Sequence, residues 1–518
     1  MKRKIYSIFF ILFVTALLFC VTSCNAMKND APGSEDAGNK APTLNGVVAG
    51  THPENAPATP EDSKDDPDSA NKFLENPFIA TDENNVSTLS ADVDTASYTY
   101  FRKLVNSGYS WQELSRYSSN FRTEEFLNYF KYTAEQPSEN ELFSVNPVLI
   151  PCPWNENNVL LSMTLQAADA TPTAGNNLVF LIDVSGSMMS SDKLPLLKTA
   201  FSHLTDQLGE NDIISIVTYS GKETVVLDGC TGNKKETILA AINSLNASGS
   251  TNGEAGLQKA YQIAEKHRIE GGNNRIIMAS DGDLNVGISS ESALKQYITE
   301  KREAGIFLSV LGFGTGNYRD EKMETLADNG NGVYLYVDGE GEAEKIFSTD
   351  LLANLYTVAK DVKMQITFDK TYVASYRLIG YENRILNEED FTDDTKDAGE
   401  VGAGHQITVC YELRLADGAK VDGTNWLELA VNYKLPDESV SVLPNLYNIG
   451  YADYIKTPDA DRTFMIAVIE TCMLLHSSEY LPEGFDLDNI LHSLNALDLS
   501  GYPERAEFRE LLKKLNTK

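Results

Sequence analysis

The apolar positions along this chain change period three times. LSADVDTASYTYFRKLVNSG at 89–108 reads as a short strand and then a helix, with Asp94 or Thr95 placed to cap the helix. RTEEFLNYFKY at 122–132 repeats the helical pattern. The period then falls to two. Phe143, Val145 and Leu149 alternate with polar or small residues, as do Val159, Leu161, Met163 and Leu165, and both stretches predict half-buried strands.

From about 175 to 360 the rhythm differs. Apolar runs NLVFLID (177–183), DIISIVTY (212–219), TVVLDG (224–229), RIIMASD (275–281), IFLSVLGFG (306–314) and VYLYVD (333–338) are separated by amphipathic stretches such as KLPLLKTAFSHLTDQL. Strands apolar on both faces and separated by helices predict a doubly wound, mostly parallel α/β sheet. TVVLDG follows its neighbour after a short turn and is expected as an antiparallel edge. EGEAEKIFSTDLLANLYTVAK (340–360) predicts one helix leading out of the block.

Period two returns at Val362, Met364, Ile366 and Phe368, then at Ile407 to Leu415 and Leu427 to Leu435. The last 60 residues turn helical, with FMIAVIETCMLLH (464–476) and EFRELLKKL (507–515). Two strands ahead of the block are too few to stand alone. The pattern therefore predicts an α/β domain (175–360) inserted in a β-sandwich-like domain built from flanks 77–170 and 361–445. A helical region (446–518) follows.

The N-terminus changes the picture. Lys2, Arg3 and Lys4 precede an apolar run, Ile5 to Val21, that is short for a membrane span. It ends in Val21-Thr22-Ser23-Cys24, which resembles a bacterial lipobox. The resemblance implies removal of residues 1–23 and lipidation of Cys24, which would put the chain on the extracytoplasmic face of the cell membrane. An ordinary secretory signal or an uncleaved anchor is the alternative. Residues 25–71 hold no aromatic side chain and are rich in Pro, Ala, Asn, Asp and Glu, so 24–76 is expected as a disordered tether. The net charge is −32, and loss of Lys2, Arg3 and Lys4 with the signal takes it to −35. Such a balance disfavours nucleic acid, whose phosphates it repels. Cys152, Cys230, Cys410 and Cys472 show no C-x-x-C spacing, which speaks against zinc, and free thiols and disulfides both stay open.

Candidate chemistry gathers at FLIDVSGSMMS (180–190), where an apolar strand ends in Asp183, Ser185 and Ser187. In an open parallel sheet, ligands bind beyond the carboxyl ends of the strands where the strand order reverses. The first and fourth strands of the block are neighbours there, and the fourth ends in Asp281. NASGSTNGEAGL (246–257) is a glycine-rich loop between them and offers Thr251. Asp183, Ser185, Ser187, Thr251 and Asp281 are all hard oxygen donors. The set disfavours zinc and copper and suits Mg2+ or Mn2+ better than Ca2+.

These residues resemble the metal-ion-dependent adhesion site of von Willebrand factor A domains, with DVSGS, Thr251 and Asp281 in the family's order. The resemblance implies that a partner's Asp or Glu completes the metal's coordination. It also implies that the last helix of the domain shifts on ligand binding. VSTLSADVDTASY, RTEEFLNYF, PCPWN, NRIIMASDGDLNVG and YRLIGYENRILNEEDFTDDTKDAGEVGAGH further resemble the bacterial YfbK-type group, which implies an envelope protein.

Other motifs carry less. DVD at 92–94 reads as a turn and cap rather than a second cation site, and GFGTGN (312–317) as a turn rather than a dinucleotide loop. EEDFTDDTKD (388–397) lacks EF-hand spacing and reads as a solvated acidic loop. None of the six histidines lies in a nucleophile motif; His405 in GAGHQ is the one in a loop of interest. The expected function is a membrane-anchored, non-enzymatic module that grips an acidic residue of a partner protein. An envelope scaffold or assembly factor, and an enzyme with an unrecognised site, are the alternatives.

Overall fold

Strands from both sides of the α/β block share the same two sheets. The computed structural model describes residues 73–169, 174–250, 253–282, 291–314, 320–419, 425–436 and 438–517. The leading flank supplies β1 (Ile79–Ala80), β2 (Val86–Ser90), α1 (Ala96–Asn106), α2 (Trp111–Leu114), α3 (Thr123–Tyr129), β3 (Phe143–Pro151) and β4 (Asn158–Ala167). The block holds β5 (Asn176–Asp183), α4 (Leu194–Gln207), β6 (Ile213–Tyr219), β7 (Glu223–Thr231), α5 (Lys235–Asn243), α6 (Gly253–Lys266) and β8 (Asn273–Ser280). It continues with α7 (Glu291–Glu303), β9 (Phe307–Phe313), α8 (Asp320–Asn329), β10 (Tyr334–Val337), α9 (Glu340–Glu344) and α10 (Leu351–Leu355). The trailing flank gives β11 (Thr357–Phe368), β12 (Val373–Ile379), β13 (Ile385–Leu386), β14 (Gly399–Gly402), β15 (Gln406–Leu415), β16 (Asn425–Lys434) and β17 (Asn445–Gly450). Three helices follow: α11 (Ala460–Leu475), α12 (Leu487–Asn495) and α13 (Pro503–Asn516).

One sandwich sheet runs β1-β12-β15-β4-β3 and the other β13-β2-β11-β16-β17. Each therefore interleaves the two flanks. β4 pairs with β15 from Asn158↔Arg414 to Gln166↔Gln406, and β2 pairs with β11 from Val86↔Thr367 to Ser90↔Lys363. Between the sheets lie Leu161, Met163 and Leu165, with Val409, Leu413, Met364, Ile366 and Leu429. Phe368 stacks on Tyr376 across that gap at 4.2 Å, and the Tyr376 hydroxyl donates to the Val86 carbonyl at 2.9 Å.

The expectation of half-buried strands fails for β4, which is buried along its whole length. Its second face is roofed by helices: Leu160 belongs to the cluster that also holds Phe126, Phe464 and Phe508. The helical region also begins later than expected, because β17 runs to Gly450 and Tyr451–Asp453 form a short turn of helix. The predicted 340–360 helix is three short pieces. A stretch of π-helix, Lys345–Thr349, separates α9 from α10, and strand geometry starts at Thr357. β11 owes that start to its ladders with β14 and β16, so tertiary pairing overrides local helix preference.

Inside the block the sheet order is β10-β9-β8-β5-β6-β7, all parallel except the β6–β7 edge. α4, α5 and α9 cover one face and α6, α7 and α8 the other. The four cysteines at 152, 230, 410 and 472 are free thiols. Among the described residues, no helix is long and apolar enough to cross a membrane.

The helical roof also stores a pH dependence. Glu470 on α11 is buried among apolar side chains, and burial pushes its carboxyl up to about 8. Between pH 4.5 and about 8 the folded chain keeps a proton that the unfolded chain has lost. Its contribution to stability is complete below that window and is lost as pH rises through it, by at most about 1.4 kcal/mol per pH unit. Glu470→Gln is expected to flatten the fall. Urea unfolding of both proteins at pH 5.5 and pH 8 measures it, and parallel pH profiles would contradict the assignment.

Candidate metal site

β5 places Asp183 at its carboxyl end, fully buried, and β8 stops one residue before Asp281. These strands are hydrogen-bonded neighbours in parallel, with Ile182 opposite Ala279, so both carboxylates leave the same edge of the sheet side by side. The Asp183 carboxylate accepts from the Ser185 backbone N–H at 2.8 Å, which folds the loop back over the strand end. Ser185 and Ser187 then bring their hydroxyl oxygens to 2.9 Å. Ser185 is buried and Ser187 exposed, so the cluster opens to solvent on the Ser187 side, where Met189 is also 69% exposed.

The glycine-rich loop is stitched to this turn by backbone bonds. The Gly186 N–H donates to the Gly249 carbonyl at 3.0 Å, and the Ser248 N–H donates to the Val184 carbonyl at 2.7 Å. Thr251, the fifth predicted ligand, lies outside the described residues, as does Cys24. Asp183, Ser185, Ser187 and Asp281 are hard oxygen donors, and this chemistry suits Mg2+ or Mn2+. Two of the four carry charge, and Ser187 sits at the open face, which leaves room for water or an outside ligand.

The sequence reading passed over Lys193. Its ammonium donates to Asp281 Oδ2 at 2.7 Å, with the lysine side chain 11% exposed and the carboxylate 0%. The signal was a lone basic residue ten positions after Asp183, just ahead of α4, in a strongly acidic chain.

The remaining motifs have structural partners. DVD is a turn, with the Asp94 N–H donating to Asp92 at 3.0 Å, but neither Asp94 nor Thr95 caps α1 through its side chain. Asp94 instead accepts from the Tyr334 N–H of β10 at 2.9 Å, and Arg384 pairs with Asp92, Asp94, Glu324 and Asp328 at 2.9–3.6 Å. In the acidic run, Asp390 caps a short helical turn and Asp393 accepts from the Thr395 N–H at 2.8 Å. Asp361, Asp397 and Glu400 approach within 4.8 Å of one another. Lys434 already holds Asp361 at 2.6 Å and Arg302 holds Asp397 at 2.8 Å. His405 is buried, burial pushes it down to about 3, and its Nδ1 accepts from the Gly402 N–H at 3.1 Å, which is a structural role.

Residues 177–349 match the von Willebrand factor type A domain model, 65–162 a von Willebrand factor model, and 353–517 the C-terminal model of the uncharacterized protein YfbK. YfbK of Escherichia coli K12 is 38% identical over 470 residues, spanning 85% of this chain and 80% of that protein. Human inter-alpha-trypsin inhibitor heavy chain H3 is 27% identical over 187 residues, 34% of this chain and 21% of its own length. Among solved structures, a von Willebrand factor type A protein from Catenulispora acidiphila aligns with TM-score 0.41 and 14% identity, over 75% of this chain and 89% of that one. BatB of Bacteroides thetaiotaomicron aligns with TM-score 0.30 and 20% identity, over 34% of this chain and 97% of that one.

Proposed function

The chain belongs to the family of YfbK, bacterial proteins built around a von Willebrand factor type A domain, and from that premise we propose that it binds a partner protein through a divalent metal. Asp183, Ser185, Ser187 and Asp281 would hold Mg2+ or Mn2+. Bound there, the ion supplies an open coordination position that an Asp or Glu of the partner can fill. The reading is of a binding module and not of an enzyme. Cys24 would carry the lipid that fixes the chain to the extracytoplasmic face of the cell membrane. An unmodified N-terminus beginning at a residue other than Cys24 in the purified protein would exclude that anchor.

The observation that carries the reading is the oxygen cluster. Two hydroxyls stand 2.9 Å apart beside a buried carboxylate, on the strand adjacent to the one that delivers a second. What the chain's own residues do is orient. The Ser185 N–H holds the Asp183 carboxylate, and the Gly186–Gly249 bond holds the loop against its neighbour. A chain of net charge −32 repels an acidic partner, so attraction has to come from one short-range point. Charge repulsion is screened beyond about 8 Å in physiological salt, and a direct metal–carboxylate bond acts well inside that distance.

The test is calorimetric titration of Mg2+ into metal-free protein, wild type against Asp183→Asn. The amide oxygen of Asn can still accept from the Ser185 N–H, so the fold should persist. We expect affinity to fall about tenfold or more with the loss of one ligand charge. Equal affinity in the two proteins, or partner capture that EDTA leaves unchanged, would defeat the reading.

A further inference from the structure

We propose that Lys193 is a built-in counter-cation of the metal site: it weakens metal binding and strengthens the capture of a carboxylate by the loaded site. This rests on the metal reading above. Lys193 is not a surface lysine that happens to fall near an acid. Its side chain is 11% exposed and its ammonium sits 2.7 Å from Asp281 Oδ2. A buried ammonium is costly unless it is paired, so the lysine is held to the carboxylate that the metal also needs.

The structure provides a slot for it. The lysine methylenes run along Gly314, just past the end of β9. A side-chain carbon on Gly314 would collide with Lys193 Cε and lie 2.9 Å from its Cγ. Gly314 also has φ +75°, where glycine is favoured, so the position is glycine for two reasons. Its carbonyl accepts from the Tyr336 hydroxyl at 2.8 Å, and the Tyr336 ring packs edge-on against Tyr100 of α1 at 5.5 Å. The slot is thus braced from the flanking domain. At the other end, the Leu197 N–H donates to the Lys193 carbonyl at 2.8 Å and ties the residue to the first turn of α4.

The consequence follows from charge. Asp183, Asp281 and Lys193 together carry one net negative charge, and a divalent ion turns this into one net positive charge. With the lysine removed, the empty site would carry two negative charges and the loaded site none. Lys193 therefore opposes the metal and favours an incoming carboxylate, and its removal should move the two affinities in opposite directions. A residue that merely packs would move both the same way, or neither.

The experiment uses the full chain, purified metal-free, with Mn2+ and acetate as probes. Mn2+ affinity is read by calorimetry. Acetate affinity of the Mn2+-loaded protein is read by its displacement of metal-bound water in proton relaxation. A single neighbouring charge alters such equilibria about tenfold or more. Lys193→Met should bind Mn2+ about tenfold tighter and acetate about tenfold weaker, while Lys193→Arg, which keeps the charge, should stay close to wild type on both. Lys193→Met that leaves both affinities unchanged or weakens both overturns the proposal, and so does Lys193→Arg behaving like Lys193→Met. Because the Arg variant keeps a cation of similar length, it also separates a charge effect from a damaged fold. Wild-type Mn2+ affinity in Asp183→Asn would instead defeat the metal reading itself, and this inference with it.

Discussion

Arg102→Met is expected to destabilise the protein by about 3–5 kcal/mol, the usual consequence of stranding a buried charge. Arg102 on α1 is 6% exposed and makes a fork to Asp338 at 2.6 and 2.7 Å. It also reaches Glu342 of α9 at 2.7 Å, Glu507 of α13 at 3.2 Å and the Tyr129 hydroxyl of α3 at 2.8 Å. Four elements from three parts of the chain meet on one guanidinium. Its loss leaves Asp338 and Glu342 inside without a cation, and methionine fills the volume but satisfies neither. Urea unfolding of wild type and variant measures the difference. The triple variant with Asp338→Asn and Glu342→Gln should recover most of it, because the stranded charges are then gone. A loss under about 1 kcal/mol would place the network among ion pairs of little net value.

The same network links the candidate metal site to the rest of the molecule. The family resemblance implies a final helix that shifts when ligand binds. Here that segment is broken and clamped: α9 is tied by Arg102, and Lys345 pairs with Asp350 at 3.1 Å across the π turn. The residue after Arg102 reaches the other side of the site, since Lys103 pairs at 3.3 Å with Asp192, next to Lys193. One helix of the flanking domain thus holds both the loop after the candidate ligands and the segment that leaves the block. Any shift of α9 has to break buried ion pairs first, so in this chain it is opposed by the flanking domain.

Much of this was legible in the residues. The alternation of apolar runs and amphipathic stretches gave away the inserted sheet, because a strand covered on both faces cannot afford polar alternation. Asp183 and Asp281 could be placed side by side because the ends of neighbouring parallel strands at a reversal point are where a doubly wound sheet opens. What stayed hidden depends on contacts distant in sequence. Period two in β4 reports only the face turned to the other sheet; Ser162, Thr164 and Gln166 on its second face are buried as well, and Leu160 on that face shares a cluster with Phe464 of α11, some 300 residues on. The break in 340–360 comes from the pull of β14 and β16 on residues after Thr357. Lys193 was missed because a lone lysine before a helix looks like a solvated residue until Gly314 is seen to lie along its stem.

Removal of the leading flank should abolish folding of the trailing one. A chain of residues 174–518 lacks β4, and β4 is the strand between β15 and β3 in its sheet. β15 would lose a nine-residue ladder, Gln406 to Arg414, and become an exposed edge. That edge presents Ile407, Val409, Tyr411 and Leu413, each at most 1% exposed in the intact chain. An unprotected apolar edge of this length is an aggregation site. The second sheet suffers too, because β2 is the partner of β11 on the side away from β16, and β13 holds on only through β2. The helices fare no better: α11 packs on α3, which is gone, and exposes Phe464, whose ring lies 4.8 Å from Phe130. Expressed alone, the truncated chain is expected in the insoluble fraction, or soluble with only the α/β block cooperatively folded. Co-expression with residues 73–169 as a separate chain should restore the sandwich, since the join at 169–174 carries none of these ladders. The measurement is amide hydrogen exchange of β11, β15 and β16. Native-like protection of those strands in residues 174–518 alone would show that the trailing flank folds by itself and that the two flanks are separate domains.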